Sequence, residues 1–121
     1  MLFRSTEANH HVVDAAALAR MKPTAILINA ARGGLVDEEA LAVALREGRL
    51  AGAGLDVYEG EPRVNPVLLG LDNVVLAPHM GSATRATREA MARLALHNLR
   101  VALAGGVPSC LVNPEALARR R

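Results

Sequence analysis

The sequence predicts an α/β fold: one half of a doubly wound parallel sheet, followed by a long helix. Three observations carry this. Short apolar runs stop at Pro or Gly, and helix-capping residues stand between them. A strand, a helix and a second strand also fit within about 30 residues, which makes the two strands parallel and the crossover right-handed. The chain has 121 residues, 51 % hydrophobic and 21 % charged, so one core can form and a disordered tail is excluded.

The elements follow in order. Asp14 is a good N-cap for a helix from Ala15 to Met21, which Pro23 ends. Residues 24–29 (Thr-Ala-Ile-Leu-Ile-Asn) lie between that Pro and Arg32-Gly33-Gly34 and read as a buried strand. Asp37 caps a second helix, with Glu38 and Glu39 in the first turn, where the dipole favours anions, and Gly48 just past its end. Residues 51–57 form the second strand, whose two glycines indicate close backbone approach. Residues 73–77 form the third, stopped by Pro78. Ser82 reads as the N-cap of a helix to about Ala104, ended by Gly105, Gly106 and Pro108. Met91, Leu94, Leu99, Ala102 and Leu103 lie near one stripe of it, with Arg85, Arg88, Arg93 and Arg100 largely off that stripe. A doubly wound nucleotide-binding sheet needs two such halves, and one is visible.

Composition narrows the function. The net charge is +2 and the Arg residues are scattered, so nucleic acid is not expected; the terminal Arg119-Arg120-Arg121 reads as a frayed end. Phe3 and Tyr58 are the aromatics, and there is no Trp, which leaves no stacking surface for bases. No apolar run is long enough for a membrane span. One cysteine, Cys110, excludes an internal disulfide, and nothing at the start resembles a secretory leader, so a cytoplasmic location is expected.

Ligands of open α/β sheets bind beyond the carboxyl ends of the strands. The first strand is followed by Ala30-Ala31-Arg32-Gly33-Gly34, the second by Tyr58-Glu59-Gly60-Glu61-Pro62, the third by Pro78-His79-Met80-Gly81-Ser82. A cation, a carboxylate and an imidazole thus arrive at one rim. Arg32 offers a planar fork for a carboxylate. His79 can give and take a proton near neutral pH, and a nearby Glu61 favours its imidazolium form. Asp56, near the end of an apolar strand, needs a donor if buried, and a ligand amide would serve.

Each residue also has a plainer reading. Arg32 suits a solvated loop charge, Glu61 a turn, Asp56 a loop cap and His79 a structural histidine. Their shared position at three strand ends favours a site. His10 and His11 are adjacent, diverge on a helix or strand, and make a poor metal pair. His97 has no evident partner, Tyr58 suits packing, and Cys110 has no base beside it. Gly52-Ala53-Gly54 lies within a strand and is no phosphate loop.

These residues carry a family resemblance. From Thr6 to about Pro114 the chain resembles the C-terminal part of D-isomer-specific 2-hydroxyacid dehydrogenases. It does so through Met21-Lys22-Pro23, the run from Asn29 through Ala30, Arg32 and Gly33 to Glu38, Gly54-Leu55-Asp56-Val57-Tyr58, Glu61-Pro62 and the stretch from Asn73 to Thr84. Pro78-His79-Met80-Gly81-Ser82-Ala83-Thr84 and Leu111-Val112-Asn113-Pro114 are most similar to glyoxylate/hydroxypyruvate reductases.

The resemblance implies a Rossmann-like sheet and NAD(H) or NADP(H) as cofactor. It implies a small 2-oxoacid or 2-hydroxyacid substrate, and a homodimer for the complete enzyme. It implies that Arg32 holds the substrate carboxylate and carbonyl, that His79 protonates the carbonyl oxygen, and that Glu61 pairs with His79. Asp56 would bind the nicotinamide carboxamide, with Ala30, Arg32, His79 and Gly81 also beside the cofactor. Formate dehydrogenases place Gln where Glu61 stands.

Family members are longer, with a glycine-rich phosphate loop and a substrate-domain segment upstream. The expectation is therefore a fragment. Residues 6–104 would be the C-terminal part of the NAD(P)-binding domain, including the long helix, and residues 105–121 a tail returning to the substrate domain. Alone, it is expected to bind NAD(P)H poorly and to turn over little or nothing. Two other readings fit the same residues: a non-catalytic binding or assembly piece, and a nucleotide-sensing regulator derived from the family.

Overall fold

The computed structural model describes residues 6–119; Phe3, Arg120 and Arg121 lie outside the described residues. The chain divides into two compact units, residues 1–81 and 82–121.

In the first unit a 3-10 turn, Glu7–Asn9, leads to α1 (Ala15–Ala19), β1 (Ile26–Asn29) and a second 3-10 turn, Gly33–Leu35. There follow α2 (Glu38–Arg46), β2 (Gly52–Leu55), α3 (Pro66–Leu69) and β3 (Val74–Leu76). The strands form a parallel sheet in the order β1-β2-β3. Ile28 stands opposite Gly54, and Leu55 opposite Leu76. α2 is the crossover between β1 and β2.

Local chemistry fixes the ends. The Asp14 carboxylate accepts the Ala17 amide at 2.7 Å and that of Asp37 accepts the Ala40 amide at 3.0 Å, so both expected N-caps form. Gly48 takes φ 69°, the left-handed conformation that ends α2. α1 stops at Ala19, short of Met21, because Arg20 already closes it through Ala17 and Leu18. α3 lies outside the sequence reading, although its signals are present. Asn65 caps it, Pro66 opens it and Gly70 closes it; one turn is too short to show a period.

Leu18, Val36, Leu41, Ala44, Leu45, Leu50, Leu55 and Leu68 form the core, with Leu27, Val74 and Leu76 packed against it from the sheet. Each fully buried Leu contributes about 1.5–3 kcal/mol. The opposite sheet face differs from expectation. Ile26, Ile28 and Val75 are 64 %, 68 % and 73 % exposed, so β1 is not a buried strand. Its unbroken apolar run is the pattern of a sheet covered on both faces. Within residues 6–81 one face is covered.

In the second unit α4 (Arg85–Leu103) is capped by Thr84, whose hydroxyl accepts the Thr87 amide at 3.2 Å, and not by Ser82. Ser and Thr cap alike, so sequence alone placed the start too early. No residue of α4 is buried, and its apolar stripe at Met91, Leu94, Leu99 and Leu103 is exposed. Ser109 donates to the Asn98 side chain at 3.1 Å, and a 3-10 turn, Pro114–Arg119, follows. Among the described residues no helix is long and apolar enough to cross a membrane.

One glycine is tied to the site. A Cβ at buried Gly33 would overlap the Tyr58 carbonyl and the Glu59 nitrogen, both backbone, which cannot swing aside. Gly33→Ala is therefore expected to lose about 3 kcal/mol. Gly48→Ala, where a Cβ meets nothing within 4 Å, pays only for its positive φ, about 1 kcal/mol. Urea unfolding of both variants checks this; equal losses would remove the close contact.

Candidate active site

The rim is built from three loops. After β1, the buried Asn29 shapes the first: its Nδ2 donates to the Arg32 carbonyl at 3.0 Å and its Oδ1 accepts the Ala31 amide at 3.2 Å. Arg32 follows in extended backbone (φ −150°), and its Nη1 donates to the Ala31 carbonyl at 2.6 Å. That contact uses one of several guanidinium donors.

After β2, Tyr58 turns its ring into the core. Its hydroxyl lies 2.8 Å from the Ala77 carbonyl and 3.2 Å from that of Leu55, which ties the ends of β2 and β3 together. Its ring is buried, the packing role expected of it, and burial pushes its ionisation up. Glu61 folds back on this loop, and its Oε1 accepts the Tyr58 amide at 3.0 Å.

After β3, His79 adopts φ 54° and its amide donates to the Ala77 carbonyl at 3.1 Å. The next two amides are held by Asp56: Met80 N–H donates to Oδ1 at 2.6 Å and Gly81 N–H to Oδ2 at 2.7 Å. The imidazole Nδ1 lies 2.9 Å from Glu61 Oε2 and 3.1 Å from Oε1. An ionised carboxylate only accepts, so Nδ1 carries the proton and Nε2 is left for another partner. The His79 bond, and after it the Tyr58 amide, hold the Glu61 carboxyl below the usual glutamate range; the positive charge of Arg32 adds to this.

The structure thus joins His79 to Glu61 directly and places Arg32 within electrostatic reach of the pair. His79 and Glu61 line a cleft of about 360 Å³ with Tyr58, Pro62, Val64 and Leu76. A second hollow, about 140 Å³, is walled by Ile28, Ala30, Gly54, Val75 and Ala77 with Asp56 beside them. Its apolar walls and neighbouring carboxylate fit a flat ring bearing an amide. Asp56 also has the plainer role weighed for it, since it caps the His79 loop; each oxygen keeps a second lone pair for a ligand donor.

Sequence reasoning passed over two contributors. Asn29 and Glu38 are buried polar residues that shape the rim loops, Glu38 by accepting the Glu59 amide at 2.6 Å. Their signal was a polar residue inside an apolar stretch or helix face. A separate expectation is corrected. His10 and His11 do not diverge: they lie in a turn, their rings stack with centroids 3.8 Å apart, and both reach Glu59. Helix or strand spacing does not govern a turn.

Residues 1–81 match the family model of the D-isomer specific 2-hydroxyacid dehydrogenase, NAD binding domain. The chain belongs to this family. It is 55 % identical over 116 residues to a glyoxylate reductase of Thermococcus onnurineus, covering 96 % of this chain and 35 % of that protein. It is 55 % identical over 113 residues to glyoxylate/hydroxypyruvate reductase B of Enterobacter agglomerans, covering 93 % and 35 %. An NADPH-dependent glyoxylate/hydroxypyruvate reductase of Sinorhizobium meliloti, solved with NADP and malonate, superposes with a TM-score of 0.78 at 45 % identity, over 83 % of this chain and 31 % of that one. The chain spans about a third of the length of the relatives it matches.

The Glu61 shift has a direct check. His79→Ala removes its largest cause, so the Glu61 carboxyl should titrate closer to the ordinary value of about 4.3. In the parent chain the pair is intact above that value and is lost as pH falls through the lowered one. Carboxyl-carbon NMR reads both. A Glu61 titration unchanged by His79→Ala would sink the pairing.

Proposed function

We propose that this chain carries the catalytic residues of an NAD(P)-dependent D-2-hydroxyacid dehydrogenase of the glyoxylate/hydroxypyruvate reductase type. The observation that carries the reading is the His79–Glu61 pair, with Arg32 on the same rim. The bound nicotinamide would supply the hydride; Asp56, with Gly81 bonded to it, and the hollow lined by Ala30 would hold it. Arg32 grips the carboxylate of a small 2-oxoacid and polarises its carbonyl. His79, doubly protonated, gives its Nε2 proton to the carbonyl oxygen and is left neutral with its Nδ1 proton on Glu61, which fixes the tautomer and the ring orientation. In the reverse direction the same nitrogen takes the hydroxyl proton.

The reading extends to the whole enzyme: residues 6–104 as part of its cofactor domain, residues 105–121 leading to its substrate domain, a homodimer, and a cytoplasmic location. The identity of 55 % to a glyoxylate reductase supports the substrate class. Because the chain spans about a third of such relatives, turnover is assigned to an enzyme completed by the remaining part.

The test is to join this chain to the first two thirds of the Thermococcus onnurineus glyoxylate reductase and follow NADPH and NADH oxidation with glyoxylate and with hydroxypyruvate. His79→Ala should lower kcat by about 10²–10⁴-fold. Arg32→Ala should raise KM as well as lower kcat. On the acid side the rate should hold until pH falls below the ordinary glutamate range, because Glu61 stays ionised to that point. The 121-residue chain alone should not turn over; Arg32-dependent reduction by it would refute the division of labour. A joined enzyme indifferent to His79→Ala would refute the mechanism.

A further inference from the structure

We propose a second site, distinct from the His79–Glu61 pair: His10, His11 and Glu59 form a three-donor site for a divalent transition ion of the zinc type. The three donor atoms lie within 4.8 Å of one another. His10 Nε2 is 3.0 Å and His11 Nε2 2.8 Å from the same Glu59 Oε1. An ion of this size takes imidazole nitrogens and carboxylate oxygens at about 2.0–2.2 Å, and small side-chain movements bring all three to that distance.

The turn makes this convergence possible. His10 has φ −60° and His11 φ 50°, so the backbone changes hand between them. That change sets the two rings side by side, stacked at 3.8 Å with 26° between planes. A left-handed conformation is uncommon for a residue with a Cβ. Here the neighbouring chain holds it: the His11 amide donates to Gly34 at 2.8 Å and the Val13 amide to Leu35 at 3.0 Å. Glu59 is fixed from the other side by the hydrogen bond that its backbone amide donates to the Glu38 carboxylate. Both donor loops are thus anchored to the segment around α2.

The donor set decides the ligand. Two imidazoles and one carboxylate suit zinc, nickel or copper, whereas magnesium and calcium prefer oxygen. Glu59 also lines an open cleft with Glu38 and Glu39, against one guanidinium from Arg63, so the surroundings favour a cation. The half-exposed His10 and Glu59 leave the site open to solvent, with room for water on the ion. Neither histidine and no atom of Glu59 takes part in the proposed reduction, so the two readings stand or fall separately.

The test uses the 121-residue chain and zinc chloride near neutral pH. Calorimetry should show one ion bound per chain, with no displacement by magnesium. Imidazole NMR should show His10 and His11 shifting while His79 and His97 stay put. His10→Ala, His11→Asn and Glu59→Gln should each weaken binding by at least about tenfold. Asn is chosen at position 11 because it tolerates positive φ. Absence of binding at millimolar zinc would overturn the proposal, as would shifts at His79 or His97 instead. Full affinity in the His10→Ala/His11→Asn double variant would overturn it too, and full affinity in Glu59→Gln would remove the carboxylate from the site.

Discussion

The turn that carries the His79 imidazole depends on one contact: the Asp56 carboxylate, just after β2, holding the amides of Met80 and Gly81 beyond β3. His79 sits in a left-handed conformation that costs an L-residue about 1–2 kcal/mol. Hydrogen bonds to a charged group contribute about 1.5–3 kcal/mol each. Two of them outweigh the strain even at the lower end of that range. The carboxylate therefore holds the backbone turn that carries the ring, and the Glu61 contact sets which way the ring faces.

The middle loop is braced from three directions. Gly33 lets the β1 loop press against the Tyr58–Glu59 peptide. Glu38 reaches from α2 to accept the Glu59 amide; burial pushes its carboxyl up, and that amide bond offsets part of the effect. Glu61 accepts the Tyr58 amide from within the loop. The carboxylate that faces His79 thus belongs to a loop with little freedom, which suits the orienting role proposed for it.

Much of this was legible in the sequence. The parallel α/β order, the caps at Asp14 and Asp37, and the rim residues Arg32, Glu61 and His79 follow from punctuation and from the rule that sites form at strand carboxyl ends. Less legible were features set by tertiary contact. The partners of Asp56 are backbone amides about 25 positions away, and no local pattern announces them. The pairing of His10 with His11 depends on a positive φ that only the neighbouring Gly34 and Leu35 carbonyls explain. The face of β1 was misjudged because an apolar run states that a residue can be buried, not that a partner covers it.

That uncovered face has a thermodynamic consequence. Ile26, Ile28 and Val75 meet water in the folded chain as they would in the unfolded one. They therefore add little to the change in apolar surface on unfolding. Heat capacity of unfolding and denaturant sensitivity both scale with that change. The 121-residue chain should have a shallower stability curve than a fully covered domain of its length. Its free energy of folding would vary less between cold and warm, with a lower maximum.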